Sequence, residues 1–341
     1  MLPRIGTEIF PDTDARLLRI RLRAPTGTRV EETERITLRA LDMIKQGVGA
    51  DKLEITSDYV GVVPSSYPVD LIHLFTSGPQ EAVIQFALKP GAPHGEELRE
   101  HLRANLAKEL PGTQVSFEAG DIVSQVMSFG SPTPIEVTVL GGNLQNDYTF
   151  AQQIQIQMAA LPLRDLQIAQ DVNYPTLDID INRERAGQFG LTMADVTRSV
   201  VPATSSSRFT QPNYWRDPNS GNAFQIQVEL PQNRLQSADE LGALAVMQEG
   251  RPDLRLDDIA TLKSGIMPGL IERNNGQRVI SLTANLHGMT LGDAQPNLLD
   301  FVTLIAKQYG ARLRKRPALP VVRRGVREPL REMLARRRFE M

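Results

Sequence analysis

DIVSQVMSFGSPTPIEVTVLGG, residues 121–142, runs from an apolar, helix-capable stretch through a Gly-Ser-Pro-Thr-Pro break into an alternating strand. How the break is read decides the architecture, because it either cradles a ligand or joins two folded units. Gly130 gives the backbone freedom to change direction, and Pro132 and Pro134 stiffen the chain beyond it, a hinge composition without a catalytic one. SFGSP is not the Gly-x-Ser-x-Gly of a nucleophile elbow. Composition alone leaves Phe129 to Pro134 open between a ligand-cradling loop and a joint.

Upstream of the break the order is strand, helix, strand, strand, helix, strand. LLRIRL (17–22) alternates apolar and basic residues, as a half-buried strand does. Past the APTGT turn, Ile36, Leu41 and Ile44 put a helix over Val30 to Gln46, with Gly47 as its stop. Lys52–Tyr59 and Ala82–Leu88 read as strands, Leu71–Phe75 as a further candidate, Glu96–Leu110 as a helix and Gln114–Glu118 as a strand. That is the split β-α-β arrangement of ferredoxin-like folds.

Downstream the pattern starts again, with a strand at Ile135–Leu140, a helix at Asp147–Leu161 and a strand at Leu166–Ala169. It then breaks off. Residues 170–268 have another texture: a strand runs into a short helix, and Thr192 with Asp195 opens a second helix in a variant of the capping box. The polar stretch ATSSSRFTQPNYWRDPNSG leads to a strand at Phe224–Leu230. The missing half of the second unit arrives late, as an alternating strand at Arg278–Ala284 and a helix at Asn297–Gln308. The fold class is α+β: one complete unit, then a second interrupted by an insertion.

Composition narrows the function. Of 341 residues, 41% are apolar and 23% charged, which fits globular domains rather than disorder. No run of 18 apolar residues occurs, and Met1–Phe10 lacks the basic and apolar segments of an export signal, so neither a membrane span nor a signal is expected in the chain. Cysteine is absent, which removes disulfides, thiolate metal sites and cysteine nucleophiles. The net charge of −2 divides into about +8 in residues 312–341 and about −10 before them, an acidic body that argues against nucleic acid. His73, His94, His101 and His287 are scattered without zinc-site spacing, and Asp178, Asp180 and Asn182 alternate along a strand without the rest of a calcium loop. No phosphate-binding glycine motif is present. No enzyme activity, cofactor or resident metal is expected.

GTEIFPDTDARLLRIRLRAPTGTRVEETERI, the opening stretch, DVNYPTLDIDINRERAGQFGLTMADV, SSSRFTQPNYW and PGLIERNNGQRVISLTANLHGMTLGDA resemble, in that order, the second large periplasmic loop of resistance-nodulation-division efflux transporters of the AcrB type. The resemblance covers residues 3–334. It implies a porter subdomain PC1 at 10–120, a split porter subdomain PC2 at 131–172 and 269–326, an inserted docking domain DC at 173–268, a basic tail at 327–341 leading toward a transmembrane helix, and a joint between PC1 and PC2 at Phe129 to Pro134, with Gly130, Pro132 and Pro134 as its hinge. The loop is joined to the membrane at both ends in such a pump, so a cut piece or a split gene is expected; a freestanding soluble interaction protein is the alternative. The implied setting is the periplasmic face of a Gram-negative inner membrane. The implied partners are amphiphilic small-molecule substrates, the other protomers of a homotrimer, a periplasmic adaptor and an outer-membrane channel.

Site candidates come from the same resemblance. Gly61, Pro64, Ser65, Ser66 and Pro68 correspond to a switch loop between pockets, with Tyr67 its one aromatic. Ile55, Ser57, Val62, Val63, Tyr67, Gln85 and Phe117 are candidates to line a substrate cleft, and aromatics at 5% overall make an aliphatic wall the expectation. Phe209, Tyr214 and Trp215 are candidates for the docking interface. The heavy-metal branch of the family places a methionine cluster in this cleft; Leu17–Leu22 has no methionine and only Met127 lies near, so soft-metal export is not expected.

Overall fold

A computed structural model of the protein describes residues 16–62, 76–121, 131–231, 234–235, 237–246, 254–290 and 294. They fall into two compact units: one takes the chain up to Tyr174 and again from Pro268, and the other is Pro175–Met267.

The first unit begins with a complete module: β1 (Leu17–Arg23), α1 (Val30–Val48), β2 (Leu53–Val60), β3 (Glu81–Leu88), α2 (Gly95–Glu109) and β4 (Gln114–Glu118). Its antiparallel sheet has the order β2-β3-β1-β4, the ferredoxin-like order. The alternation of β1 sends Ile20 and Leu22 into the core with Ile84, Phe86 and Phe117, under the apolar stripes of α1 (Ala40, Leu41, Ile44) and α2 (Leu98, Leu102, Leu106). Each fully buried Leu or Ile there stabilises the module by roughly 1.5–3 kcal/mol. Gly47 does not end α1 as the sequence suggested. A Cβ there would stand 3.0 Å from Leu102 Cδ2, so this glycine lets the two helices approach, and Gly49, at φ +96°, ends the helix.

The second module opens with β5 (Ile135–Leu140), α3 (Leu144–Met158) and β6 (Leu163–Ile168). α3 starts three residues before the expected position because the Asn143 side chain accepts from Asn146 N at 3.0 Å and caps it there.

The second unit then intervenes: β7 (Tyr174–Ile181), α4 (Arg183–Gln188), α5 (Met193–Thr204), β8 (Asn213–Arg216), β9 (Ala223–Ile226), α6 (Ala238–Gly242), α7 (Leu256–Ile259) and β10 (Ala260–Met267). Leu191, Val196, Leu241, Val246, Leu256 and Ile259 form its core. Thr192 and Asp195 make the expected capping box at α5. The polar stretch, expected only as an exposed segment, contains β8, which pairs with β9 across a turn held by Asp217 and the hydroxyl and amide of Ser220; the strand expected at 224–230 ends at Ile226.

The chain returns through β11 (Glu272–Asn274) and β12 (Gln277–Leu286), and β12 completes the interrupted sheet by pairing with both β5 and β6. β5-β12-β6 repeats the neighbour order of the first module. Ile135, Val137, Val139, Ile280, Leu282 and Ala284 face α3. The sequence of β12 alternates, yet Val279–Ala284 are all buried, Ser281 and Thr283 included, so both faces of this strand are covered. The helix expected at 297–308 and the strand at 71–75 lie outside the described residues. No helix among the described residues is long and apolar enough to cross a membrane.

Candidate functional site

In both modules one sheet face is apolar and lies on helices, which leaves the other to carry function. In the first module, register puts Ile55, Ser57 and Tyr59 of β2, Gln85 and Glu81 of β3, Arg19, Arg21 and Arg23 of β1, and Ser116 and Glu118 of β4 on that second face. Ile55, Ser57 and Gln85 from the sequence-based lining therefore share one surface. Phe117 is on the opposite face, buried in the helix-covered core with the Arg103 guanidinium 4.7 Å from its ring centroid. Val62 is exposed beyond the end of β2. Val63, Pro64, Ser65, Ser66, Tyr67 and Pro68 lie outside the described residues, as do Gly130 and Met127.

Charge dominates this face. Arg21 Nε donates to Glu118 Oε1 at 2.5 Å and Arg23 Nε to Glu81 Oε1 at 2.7 Å, while Arg21 Nη1 reaches Glu81 Oε2 at 3.3 Å. Glu81 also accepts from the amide and hydroxyl of Ser77. Burial alone would push the Glu81 carboxyl up, but Arg23, Arg21 and the Ser77 donors outweigh it and hold the group below the usual carboxylate range. Burial works against the charge of Arg21 as well, and Glu118 and Glu81 outweigh it, leaving the guanidinium above its ordinary value. With the Gln85 amide turned to satisfy both partners, its oxygen accepts from Arg19 at 2.7 and 2.9 Å.

The loop that leaves this sheet is tied at its base. Gly61, at φ +74°, donates its N–H to Glu81 O at 2.8 Å, and its carbonyl accepts from Thr76 Oγ1 at 2.5 Å. Gly61 and Thr76 are thus bonded to each other at the edge of the sheet. In the Ser-Pro-Thr-Pro stretch ahead of β5, Ser131 and Thr133 are buried and bond to the carbonyls of Thr133 and Ile135, while Pro132 and Pro134 face outward.

A second cluster joins the two modules. Asp165 of β6 accepts a fork from Arg103 of α2, Nε at 2.7 Å and Nη2 at 2.9 Å, together with Phe117 N at 3.1 Å and Asn285 Nδ2 at 2.7 Å. Arg164 and Arg103 pair with Glu100 on the outer side, where His287 Nδ1 lies 3.7 Å from Glu100 and 3.8 Å from Glu96. Glu96, Glu100 and His287 form the group among the described residues whose oxygen and nitrogen atoms come close enough to share a cation. Their separation along the chain hid them from histidine spacing; Glu96, Glu100 and Arg103 at helical intervals were the legible part of the signal. Asp178 and Asp180 do not gather ligands, and Asp180 faces Lys263 at 3.4 Å.

In the second unit, Phe209, Tyr214 and Trp215 are all more than half exposed. Arg208 lies over the Phe209 ring at 4.5 Å. Trp215 sits opposite Phe224, ring centroids 5.9 Å apart, and with Ile226 makes an apolar hairpin face; Tyr214 is on the other face.

The sequence model of the AcrB/AcrD/AcrF family matches residues 1–308. The cobalt-zinc-cadmium resistance protein CzcA of Cupriavidus metallidurans is 26% identical over 201 residues, which cover 52% of this chain and 18% of that protein. The nickel-cobalt-cadmium resistance protein NccA of Alcaligenes xylosoxydans xylosoxydans is 25% identical over 231 residues, covering 66% and 20%. The crystal structure of a heavy metal efflux pump superposes with a TM-score of 0.70 at 18% identity, over 89% of this chain and 30% of that one, a likeness of fold. The chain thus spans about a fifth of the length of these curated relatives.

Proposed function

This chain belongs to the AcrB/AcrD/AcrF family, and from that premise we propose that it is the periplasmic substrate-handling and docking portion of a proton-driven efflux pump of the resistance-nodulation-division type. In this reading the first module is PC1, the interrupted module PC2 and the inserted unit DC. The segment anchored at Gly61 and Thr76 is the switch loop, the joint at Gly130, Pro132 and Pro134 lets the modules move, and the hairpin with Trp215 meets neighbouring subunits of a trimer. An adaptor and an outer-membrane channel complete the path at the inner membrane. The chain itself performs no chemistry on its cargo.

For the cargo we propose a divalent cation of borderline character, such as zinc or cobalt. The observation that carries this is the donor chemistry of Glu96, Glu100 and His287: oxygen and nitrogen, with neither thiolate nor thioether, which suits such ions better than soft monovalent ones. The names of the relatives point the same way. A cation entering there must displace the guanidinium of Arg103, so weak binding is expected, as a transporter requires. Exposed Ile55 and Val62 at the β2 edge favour a second reading, an amphiphilic cargo. Calorimetric titration with zinc or cobalt, beside fluorescence titration with an amphiphilic dye, separates them. Metal binding lost in Glu100→Gln and His287→Ala supports the cation. Dye binding lost in Ile55→Ser, with no metal heat, overturns it.

A further inference from the structure

Asp165 stands out at the level of the backbone. It is one of two non-glycine residues at positive φ among the described residues, at +52°, and its side chain is only 3% exposed. The other, Asn275, belongs to the Asn275-Gly276 turn between β11 and β12, where a left-handed residue is ordinary. Asp165 instead lies within a strand. β6 slips register against β12 there, pairing Gln167 with Thr283 but Arg164 with Asn285, so that Asp165 and Leu166 together face Ala284. Such a bulge bends the strand and re-aims a side chain.

The re-aimed carboxylate points at the first module. All four bonds to it are directional, and two come from one planar guanidinium, the geometry in which an Arg–carboxylate pair is strongest and most specific. Asn285 closes the ring by donating also to Phe117 O at 2.7 Å, so the backbone of β4 is held through both its N–H and its C=O. The apolar cores on either side are separate clusters. A polar seam between two separate cores, organised by one strained residue, is what a joint between rigid bodies needs: directional bonds define one orientation, and no shared core has to be broken to leave it.

We infer that the Asp165 bulge is a clasp that sets the orientation of the two modules, with Arg103 and Asn285 as its receiving groups. Arg23, which donates to the carbonyls of Ile168 and Ala169 at 2.8 and 3.0 Å, steadies the far end of the same strand. The inference holds whatever the cargo is.

The test uses the whole chain, which has no cysteine to interfere. Leu38→Cys on α1 and Ile156→Cys on α3, 52% and 67% exposed, carry spin labels, one on each module, for a pulsed electron-resonance distance measurement. The parent should give one narrow distance distribution. Asp165→Gly is the decisive variant: glycine accepts positive φ, so β6 keeps its backbone while the carboxylate is gone. The expected result is a broadened distribution with a second, longer population, repeated in Arg103→Gln, whereas Arg164→Ala in the outer pair leaves the parent distribution. If Asp165 is only a turn residue, Asp165→Gly and Arg103→Gln both retain the narrow distribution, and the inference is overturned. Far-UV circular dichroism identifies any variant that fails to fold, and the other then decides.

Discussion

The two modules of the first unit share a strand order and an apolar, helix-covered face, yet their second faces differ in kind. In the complete module that face is ionic, with Arg21 and Arg23 against Glu81 and Glu118. In the interrupted one it is mostly neutral: Thr138, Gln167, Ser281 and Thr283 are buried there, Glu136 accepts from Ser281 at 3.2 Å, and Gln170 accepts from Ser281 N at 2.7 Å and donates to Glu272 at 2.6 Å. One fold thus tolerates either chemistry, because the apolar face alone defines which side of each strand packs inward.

The largest expected difference lies between two carboxylates. Glu81→Gln takes from Arg23 its carboxylate partner and leaves Arg21 with Glu118 alone in a buried setting, and the loss should be about 3 kcal/mol. Glu136→Gln removes only bonds from neutral hydroxyls and should cost about 0.5–1 kcal/mol. Urea denaturation of both variants measures the contrast. Equal losses would mean that the ionic face is no more committed to stability than the neutral one.

Acid should separate the modules next. The folded Glu81 carboxyl is below its unfolded value, so its contribution is complete above the ordinary glutamate range near about 4.3 and disappears as pH falls through the lower folded value. In the second module, burial raises Asp147, which has the opposite sign: its penalty is present above the raised value and is relieved by protonation. Asp58 in the first module is also raised by burial, which opposes the effect of Glu81 within that module. Amide exchange at about pH 3 to 4 should therefore find β1–β4 opening before β5, β6 and β12. Simultaneous opening would break the comparison.

How much of this was legible divides along the same line. The apolar faces announced themselves through the alternation in LLRIRL and the leucines at four-residue intervals in α2, and both gave the correct elements. The second faces did not. Arg21 and Arg23 look like solvated residues of a half-buried strand, because a sequence cannot reveal that Glu81 and Glu118 arrive opposite them. Gly47 looked like a helix stop because contact with Leu102 is a tertiary fact. Asp165 gives no sequence signal: a charged Arg-Asp pair ahead of Leu166 reads as a turn and puts the start of the strand at Leu166. Only the register with β12 identifies Asp165, together with Leu166, as a bulge.

Glycines allow a finer comparison. Gly61 in the first module and Gly276 in the second have similar left-handed backbones, at φ +74° and +79°. An added Cβ meets Val30 Cγ2 at 2.9 Å in the first and nothing within 4 Å in the second. Both alanine variants carry the left-handed strain of about 1 kcal/mol, and Gly61→Ala should exceed Gly276→Ala by a further few tenths because Val30 has to shift. A larger gap would mean that the base of the 62–75 segment is held more tightly than its bonds to Glu81 and Thr76 imply.

The smallest effect belongs to the hairpin. Trp215 is the only tryptophan in the chain and is 51% exposed, so intrinsic tryptophan emission reports this hairpin and neither module. Trp215→Ser should change stability by no more than about 0.5 kcal/mol, as surface substitutions do. The parent emission should be that of a partly hydrated indole and should stay unchanged in Glu81→Gln and Asp165→Gly, whose effects belong to the other unit. A blue shift on raising the protein concentration, abolished in Phe224→Ser, would show that the Trp215, Phe224 and Ile226 face is covered by a second copy. Constant emission over that range would mean that a second copy of the chain does not cover this face, and would leave the proposed docking role to be tested with other partners.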